Sequence, residues 1–441
     1  MGIKAEPRYP DRAAMAKHLR WIAGTLLIIA APAMIVGTRS SPLFLAAAAM
    51  LAAAVALVER RGRMAAEEIG QAFLTPLGMA SLAFLAWALA SLLWSSSPAT
   101  TALSLLEALV PAASALIIAV GLSGQTRHFS SRTAALGLAF GLAVACAAML
   151  LDLGTGMSLQ RALGSRPQGF VLNRAVLMVL VVSTPVLWWL ARDRLLPPSV
   201  YLTFGGLLAG SVISSHSGAA VVGGACALLI YGLARYAPRS AVGALLIGAF
   251  LSLAAAPIIG ETMFRSISKA AHERMAGASS EARVATWRSF EVVVRERPLL
   301  GWGFGVSPVI SDDPRVRQID PDMRAMLGVG HPHNAALQIW VELGAVGAAL
   351  AFLVFAFLLR SIARLDAGAA APRLALVAGA GMVALVGHGA WQGWWIACLG
   401  LAAVLFRTAS EAGEDLSAPG QAPSMSDPNL PAPGRRGRSR A

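Results

Sequence analysis

The sequence predicts an all-α, polytopic membrane protein. Three observations predict it. Of 441 residues, 56% are hydrophobic and only 13% are charged, and mean hydropathy is +0.65. A soluble domain of this length carries more charge than that. The apolar residues also gather into about twelve runs of bilayer length, for which roughly 17–25 residues are needed. Finally, Lys and Arg concentrate in alternate connections between the runs, as cytoplasmic loops require.

The expected spans are 21–38, 42–58, 77–94, 102–122, 134–152, 175–191, 198–214, 217–234, 241–259, 336–359, 374–390 and 392–406. Ser211–Gly218 is the weakest break among them. Many are rich in Ala and Gly, which lets helices approach closely. With the N-terminus in the cytoplasm, the inner segments hold Lys4, Arg8, Arg12, Lys17 and Arg20, then Arg60, Arg61 and Arg63, then the later arginine groups to Arg407. The short outer loops hold only Arg39, Arg161, Arg166 and Arg174. Both termini are then cytoplasmic, and the longest loop is periplasmic. The expected division is a cytoplasmic N-terminus 1–20, spans 21–259, a large periplasmic loop 260–335, spans 336–406 and a disordered basic tail 407–441. The charged start runs into the first span without a small-residue cleavage site, so no cleaved signal is expected. The formal net charge of +13 is spread through short loops. It therefore serves orientation and lipid headgroups, and no nucleic acid partner is expected. Cys146, Cys226 and Cys398 lie in apolar runs and read as small core residues.

The 260–335 loop is the only sizeable soluble element. Thr262–Met275 and Glu281–Arg297 read as helices. In the second, Val284, Trp287, Phe290 and Val294 recur at helical spacing, and such an amphipathic helix is expected along the bilayer surface. Pro298 ends it, and Gly301-Trp302-Gly303-Phe304-Gly305 reads as a flexible turn. The loop holds Arg265, Lys269, Arg274, Arg283, Arg288, Arg295, Arg297, Arg315, Arg317 and Arg324. Long outer loops escape the positive-inside rule, and this basic patch suits a phosphorylated lipid.

The loop runs into a long apolar helix through His331-Pro332-His333-Asn334. Pro332 disfavours helix at His331, so the helix is expected to start near His333. Asn334, Gln338 and Glu342 then form one polar stripe, read as interhelical hydrogen bonding or the wall of a wet cavity. Gly344 and Gly347 offer a small surface to a neighbour. Polar groups at a membrane boundary are costly and mark functional sites. His331 and His333 have no cysteine, His-Glu-x-x-His or carboxylate cluster beside them, and no glycine-rich phosphate loop occurs. Neither a metal nor a cofactor is expected.

Three places make the sequence similar to the O-antigen ligase and polymerase superfamily of bacterial inner-membrane proteins. His333-Asn334, nine residues, then Gly344-Ala345-Val346-Gly347 resembles its His-Asn-x9-Gly-x-x-Gly pattern. Arg283-x3-Trp287 leading to Arg297-Pro298-Leu299-Leu300-Gly301-Trp302-Gly303 resembles its arginine-tryptophan helix and following turn. Trp94-Ser95-Ser96-Ser97-Pro98 is a weaker echo. One departure stands out: the ligases place an outer arginine some seventy residues before Arg283, where this chain has Ser214-Ser215-His216-Ser217-Gly218-Ala219. Arg166 or Arg174, in a segment similar to another loop of the family, is positioned to supply that charge.

The resemblance implies transfer or polymerisation of an undecaprenyl-diphosphate-linked oligosaccharide onto a glycan or lipid A core acceptor at the periplasmic face. It implies His333 as base and Arg283 on the diphosphate. Arg166, Arg174, His216, Arg288, Asn334 and His331 are expected to bind substrate. Within the family, a polymerase, a lipid A core ligase and a protein-glycan ligase share these motifs. A transporter or flippase is the reading from a different class, and the gathering of charge on one outer loop argues against it.

Overall fold

The computed structural model describes residues 12–122, 131–165, 167–268 and 280–417. These hold seventeen α-helices and short 3-10 turns, with no strand. The helices are α1 (Arg12–Val36), α2 (Ser41–Val58), α3 (Gly62–Leu74), α4 (Pro76–Ala90), α5 (Pro98–Gly121), α6 (Ser131–Gly154), α7 (Ser158–Ala162), α8 (Asn173–Arg192) and α9 (Pro198–Ser214). They continue as α10 (Gly218–Tyr236), α11 (Pro238–Ala255), α12 (Ile259–Ser266), α13 (Ser280–Glu296), α14 (Pro321–Leu327), α15 (Ala335–Ile362), α16 (Ala367–Val386) and α17 (Gly393–Ser417). Eleven helices are long and apolar enough to cross a bilayer, and α9 is a shorter apolar helix. The chain is a multi-pass membrane protein. Ser217 separates α9 from α10 by accepting the Ala220 amide at 3.2 Å. In the bilayer the helices pack through small residues: a Cβ on Gly223 would come within 3.0 Å of the Gly379 carbonyl across α10 and α16.

The connections sort into two groups by their contacts. In one group, Ser96 N–H donates to Trp302 O (3.0 Å), Arg297 to Trp94 O (3.2 Å), and Gln392 Nε2 lies 3.4 Å from His331 Nε2. This joins the α4–α5, α11–α15 and α16–α17 connections. At the other end, Arg20 pairs with Glu59 and Arg407 with Glu68, and Trp188 Nε1 donates to Gly368 O at 3.1 Å.

The long α11–α15 connection is folded onto itself, which corrects three expectations. The apolar face of α13 does not lie free along a bilayer. Phe290, Val293 and Val294 pack with Trp302, Val306, Ile310, Val316 and Leu327, and with Leu337 and Val341 of α15. The segment expected as a helix over Thr262–Met275 is helical only to Ser266 before an extended Ile267, and residues 269–279 lie outside the described residues. The Gly301–Gly305 turn is buried and fixed rather than flexible.

That turn and Gly344 of α15 are physical partners. Helix α15 breaks at Gly344 (φ 64°, ψ −164°). The carbonyls released from the helical ladder are taken up from outside. Trp302 N–H donates to Val341 O (3.0 Å), Gly303 N–H to Glu342 O (2.9 Å), and Trp87 Nε1 to Leu343 O (3.0 Å). In return, Ala345 N–H donates to Pro298 O at 2.8 Å. Gly301 and Gly344 both have positive φ, and a Cβ on either would collide with the backbone of the other segment. So the neighbour that Gly344 admits is the loop, not a second helix.

Candidate functional site

The site is built at the start of α15. Trp287 of α13 donates Nε1–H to Pro332 O at 2.9 Å and pins the turn. Asn334 is extended, and its Oδ1 accepts the Leu337 amide at 3.1 Å, so it is the N-cap. The helix thus starts at Ala335, just beyond the expected His333. His333 itself sits in the left-handed region (φ 51°). Its Nδ1 lies 2.9 Å from Gly387 O. A carbonyl only accepts, so Nδ1 carries the proton and Nε2 keeps its lone pair in the neutral ring.

Gly387 is the C-cap of α16, and the last carbonyls of a helix have no partner inside it. Arg283 of α13 uses the adjacent one, donating from Nη1 to Val386 O. One helix end therefore orients both side chains.

These groups line a cavity of about 410 Å³ whose walls include Arg174, His216, Arg283, His331, His333 and His388, with Thr38, Gln392 and Trp394 between them. Five separate connections contribute. Among the described residues no Asp or Glu lines it. Neither Arg174 nor Arg283 forms an ion pair among the described residues. Arg174 reaches Thr38 Oγ1 at 3.4 Å, and its Cζ is 5.8 Å from the Trp394 ring centre.

Burial sets the protonation of the histidines. It pushes His331 down to about 3, helped by the neighbouring His333, His388 and Arg174. It pushes His388 down to about 4 against the bond to Gly389 O, with His333 and Arg174 lowering it further. It also lowers His333, where the bond to Gly387 raises the value and the Arg283 charge lowers it. The His331 and His388 rings are therefore neutral at pH 7, and the His333 ring is shifted in the same direction. Burial likewise lowers Arg283, which remains a cation because arginine does not deprotonate in proteins. The cavity thus sets guanidinium donors beside neutral imidazoles. Among the described residues no three His, Cys, Asp or Glu side chains gather as a metal site.

A second, apolar cavity of about 920 Å³ lies between α8, α9, α10 and α16. It draws on two of the same helices, with Leu180 following Leu177 on α8 and Val221 following Ala219 on α10.

Of the residues named from sequence, Arg174, His216, Arg283, His331 and His333 meet in the polar cavity. Arg288 does not: it pairs with Glu261 (3.0 Å) and covers the Phe264 ring at 3.8 Å. Asn334 is spent on its cap. Arg166 lies outside the described residues. Sequence reading missed His388, Gln392 and Trp394. The available signal was a histidine, a glutamine and three tryptophans within Gly387–Trp395, where two apolar runs meet. The polar stripe of α15 resolves to hydrogen bonding. Gln338 and Glu342 bond to the long loop and the α16–α17 turn.

No curated protein matches the chain. Residues 203–352 match the family described as O-antigen ligase. The match spans α9 to α15 and includes His216, Arg283, His333 and the Gly344 break. Over that segment, about a third of its length, the chain is similar to the O-antigen ligase family, and the match supports placing it in that superfamily.

Proposed function

We propose that this protein is a glycosyltransferase that transfers or polymerises undecaprenyl-diphosphate-linked glycan at the periplasmic face of the bacterial inner membrane, with both termini in the cytoplasm. The observation that carries the reading is a pair of cavities that share helices α8 and α10 as walls: a cationic pocket with buried histidines and no Asp or Glu among its described lining, and an apolar cavity of about 920 Å³. A polyprenyl diphosphate glycan has the matching parts: an isoprenoid tail, a diphosphate and sugar hydroxyls.

In this reading Arg283 and Arg174 hold the diphosphate and stabilise the charge that grows on it as the glycosidic C–O bond breaks. Arg174 takes the place of the arginine that resemblance expects near His216, reaching the same cavity from α8. His333 Nε2 accepts the proton of the acceptor hydroxyl as its oxygen attacks the anomeric carbon. A direct displacement inverts that centre, and the diphosphate leaves carrying the bonding pair. Neither nucleotide nor metal enters these steps.

Reconstitution tests this. Purified protein receives undecaprenyl-diphosphate oligosaccharide, with and without lipid A core, in chelator. A ladder from the donor alone identifies a polymerase, and product only with core identifies a ligase. Activity abolished by chelator and restored by a divalent cation would overturn the metal-free mechanism. Absence of product under every condition, with His333→Ala indistinguishable from wild type in cells, would overturn the whole reading.

A further inference from the structure

The His331-Pro332-His333 turn contains an interaction that substrate binding does not require. His333 is one of four non-glycine residues with positive φ among the described residues. Such a conformation persists only where the surroundings over-determine it. Gly387 O anchors the ring, and a second contact anchors the backbone. His331 Nδ1 accepts the His333 N–H at 3.3 Å, and the two rings lie 4.2 Å apart. An Asn or Asp side chain takes the amide two residues on in the same way. Here an imidazole does it.

His331 is in turn wedged in place. A Cβ on Gly389 would come within 3.2 Å of His331 Cδ2. A lone pair that accepts a backbone amide is committed to the protein and is not free for a substrate proton.

We infer that His331 is a positioning residue, fixing the left-handed turn that presents His333 Nε2 to the cavity, and not the substrate ligand that the sequence suggested. The consequence for activity rests on the proposed role of His333. The consequence for the turn does not. Burial keeps the His331 ring neutral, so its acceptor is available throughout the physiological pH range.

The test uses the full-length protein in detergent and two variants. His331→Asn places an acceptor oxygen where Nδ1 stood, and His331→Ala removes it. With undecaprenyl-diphosphate oligosaccharide as donor, His331→Ala is expected to lose kcat by roughly tenfold or more, since small misplacements of reacting groups are costly. Its donor KM is expected to stay unchanged. His331→Asn is expected to return kcat close to wild type. Hydrogen exchange reads the turn directly: the His333 amide is expected to lose protection in His331→Ala and keep it in His331→Asn. The inference falls if Asn is as slow as Ala, if donor KM rises while kcat holds, or if the His333 amide exchanges equally in all three proteins. A wild type without transfer activity would remove the proposed function, and the exchange experiment would still decide what His331 does.

Discussion

Helix α15 carries two polar centres, and they behave in opposite ways. Glu342 is fully buried. Its carboxylate accepts from Gly305 N–H (2.6 Å), Ser307 Oγ (2.6 Å), Gln338 Nε2 (2.9 Å) and Trp391 Nε1 (2.6 Å). Four donors from three segments spend its lone pairs and tie the long loop to the α16–α17 turn. At the other centre, His333 uses Nδ1 on Gly387 O and keeps the Nε2 lone pair on a ring lining a cavity whose two guanidiniums form no ion pair among the described residues. Both centres sit at a membrane boundary, where polarity alone marks each as a candidate. The difference lies in unspent valence: a saturated polar group holds structure, and an unsaturated one in a cavity is free for chemistry.

The largest expected effects set these two residues against each other. His333→Ala is expected to lose roughly 10²–10⁴-fold in transfer, the span of a general base, with an unchanged melting temperature in detergent. Glu342→Ala is expected to do the reverse in order of cause. It strands buried donors and costs about 3 kcal/mol of stability, so unfolding and poor yield precede any change in kcat. Thermal melts and transfer rates on both variants decide it. Equal loss of stability in the two would break the comparison.

Arginine geometry gives the next effect. Arg283→Lys keeps the charge but cannot hold the Val386 carbonyl and a diphosphate oxygen with one planar fork. Transfer is expected to fall by about tenfold or more, with donor affinity carrying most of the loss. Arg288→Lys is the control. Arg288 serves Glu261 and Phe264 outside the cavity, so its transfer rate is expected to match wild type. An Arg288 effect as large as that of Arg283 would place the anion site elsewhere on the loop.

Much of this was legible in sequence, and the reason is the bilayer. Each span must supply an unbroken apolar run, so helices such as α10 and α15 are readable one at a time. Even the weak break at Ser211–Gly218 marks the division between α9 and α10. What could not be read was partnership. The periodic face of α13 was visible, but nothing local shows that Trp302 and Leu337 cover it. The glycines at 301 and 344 look like two independent turns until the broken ladder of α15 is seen receiving the 298–303 segment. His388 and Gln392 were hidden for a related reason. A seam between two spans reads as apolar, and its polar residues gain meaning only when Gly387 O is found against His333. Arg174 was named among several arginines, and only the fold separates it from Arg288.

The smallest effect, and the sharpest probe of the free imidazole, is pH. Burial and the Arg283 charge hold the His333 value below the ordinary 6.5, so its folded-state ring protonates less readily than a free one. The base works only when neutral. Activity is therefore complete above the depressed value and lost as pH falls through it, which puts the acidic limb of kcat/KM below pH 6.5. Removing the Arg283 charge lifts one of the two influences that hold the value down. Arg283→Gln is thus expected to move the limb to higher pH in whatever activity remains, while Arg283→Lys leaves it in place. The shift depends on charge, and the loss of rate in Arg283→Lys depends on shape, so the pair separates the electrostatic work of Arg283 from its grip on the diphosphate. A wild-type limb at or above pH 6.5, or one that stays fixed in Arg283→Gln, would mean that the titrating group is not the imidazole beside Gly387.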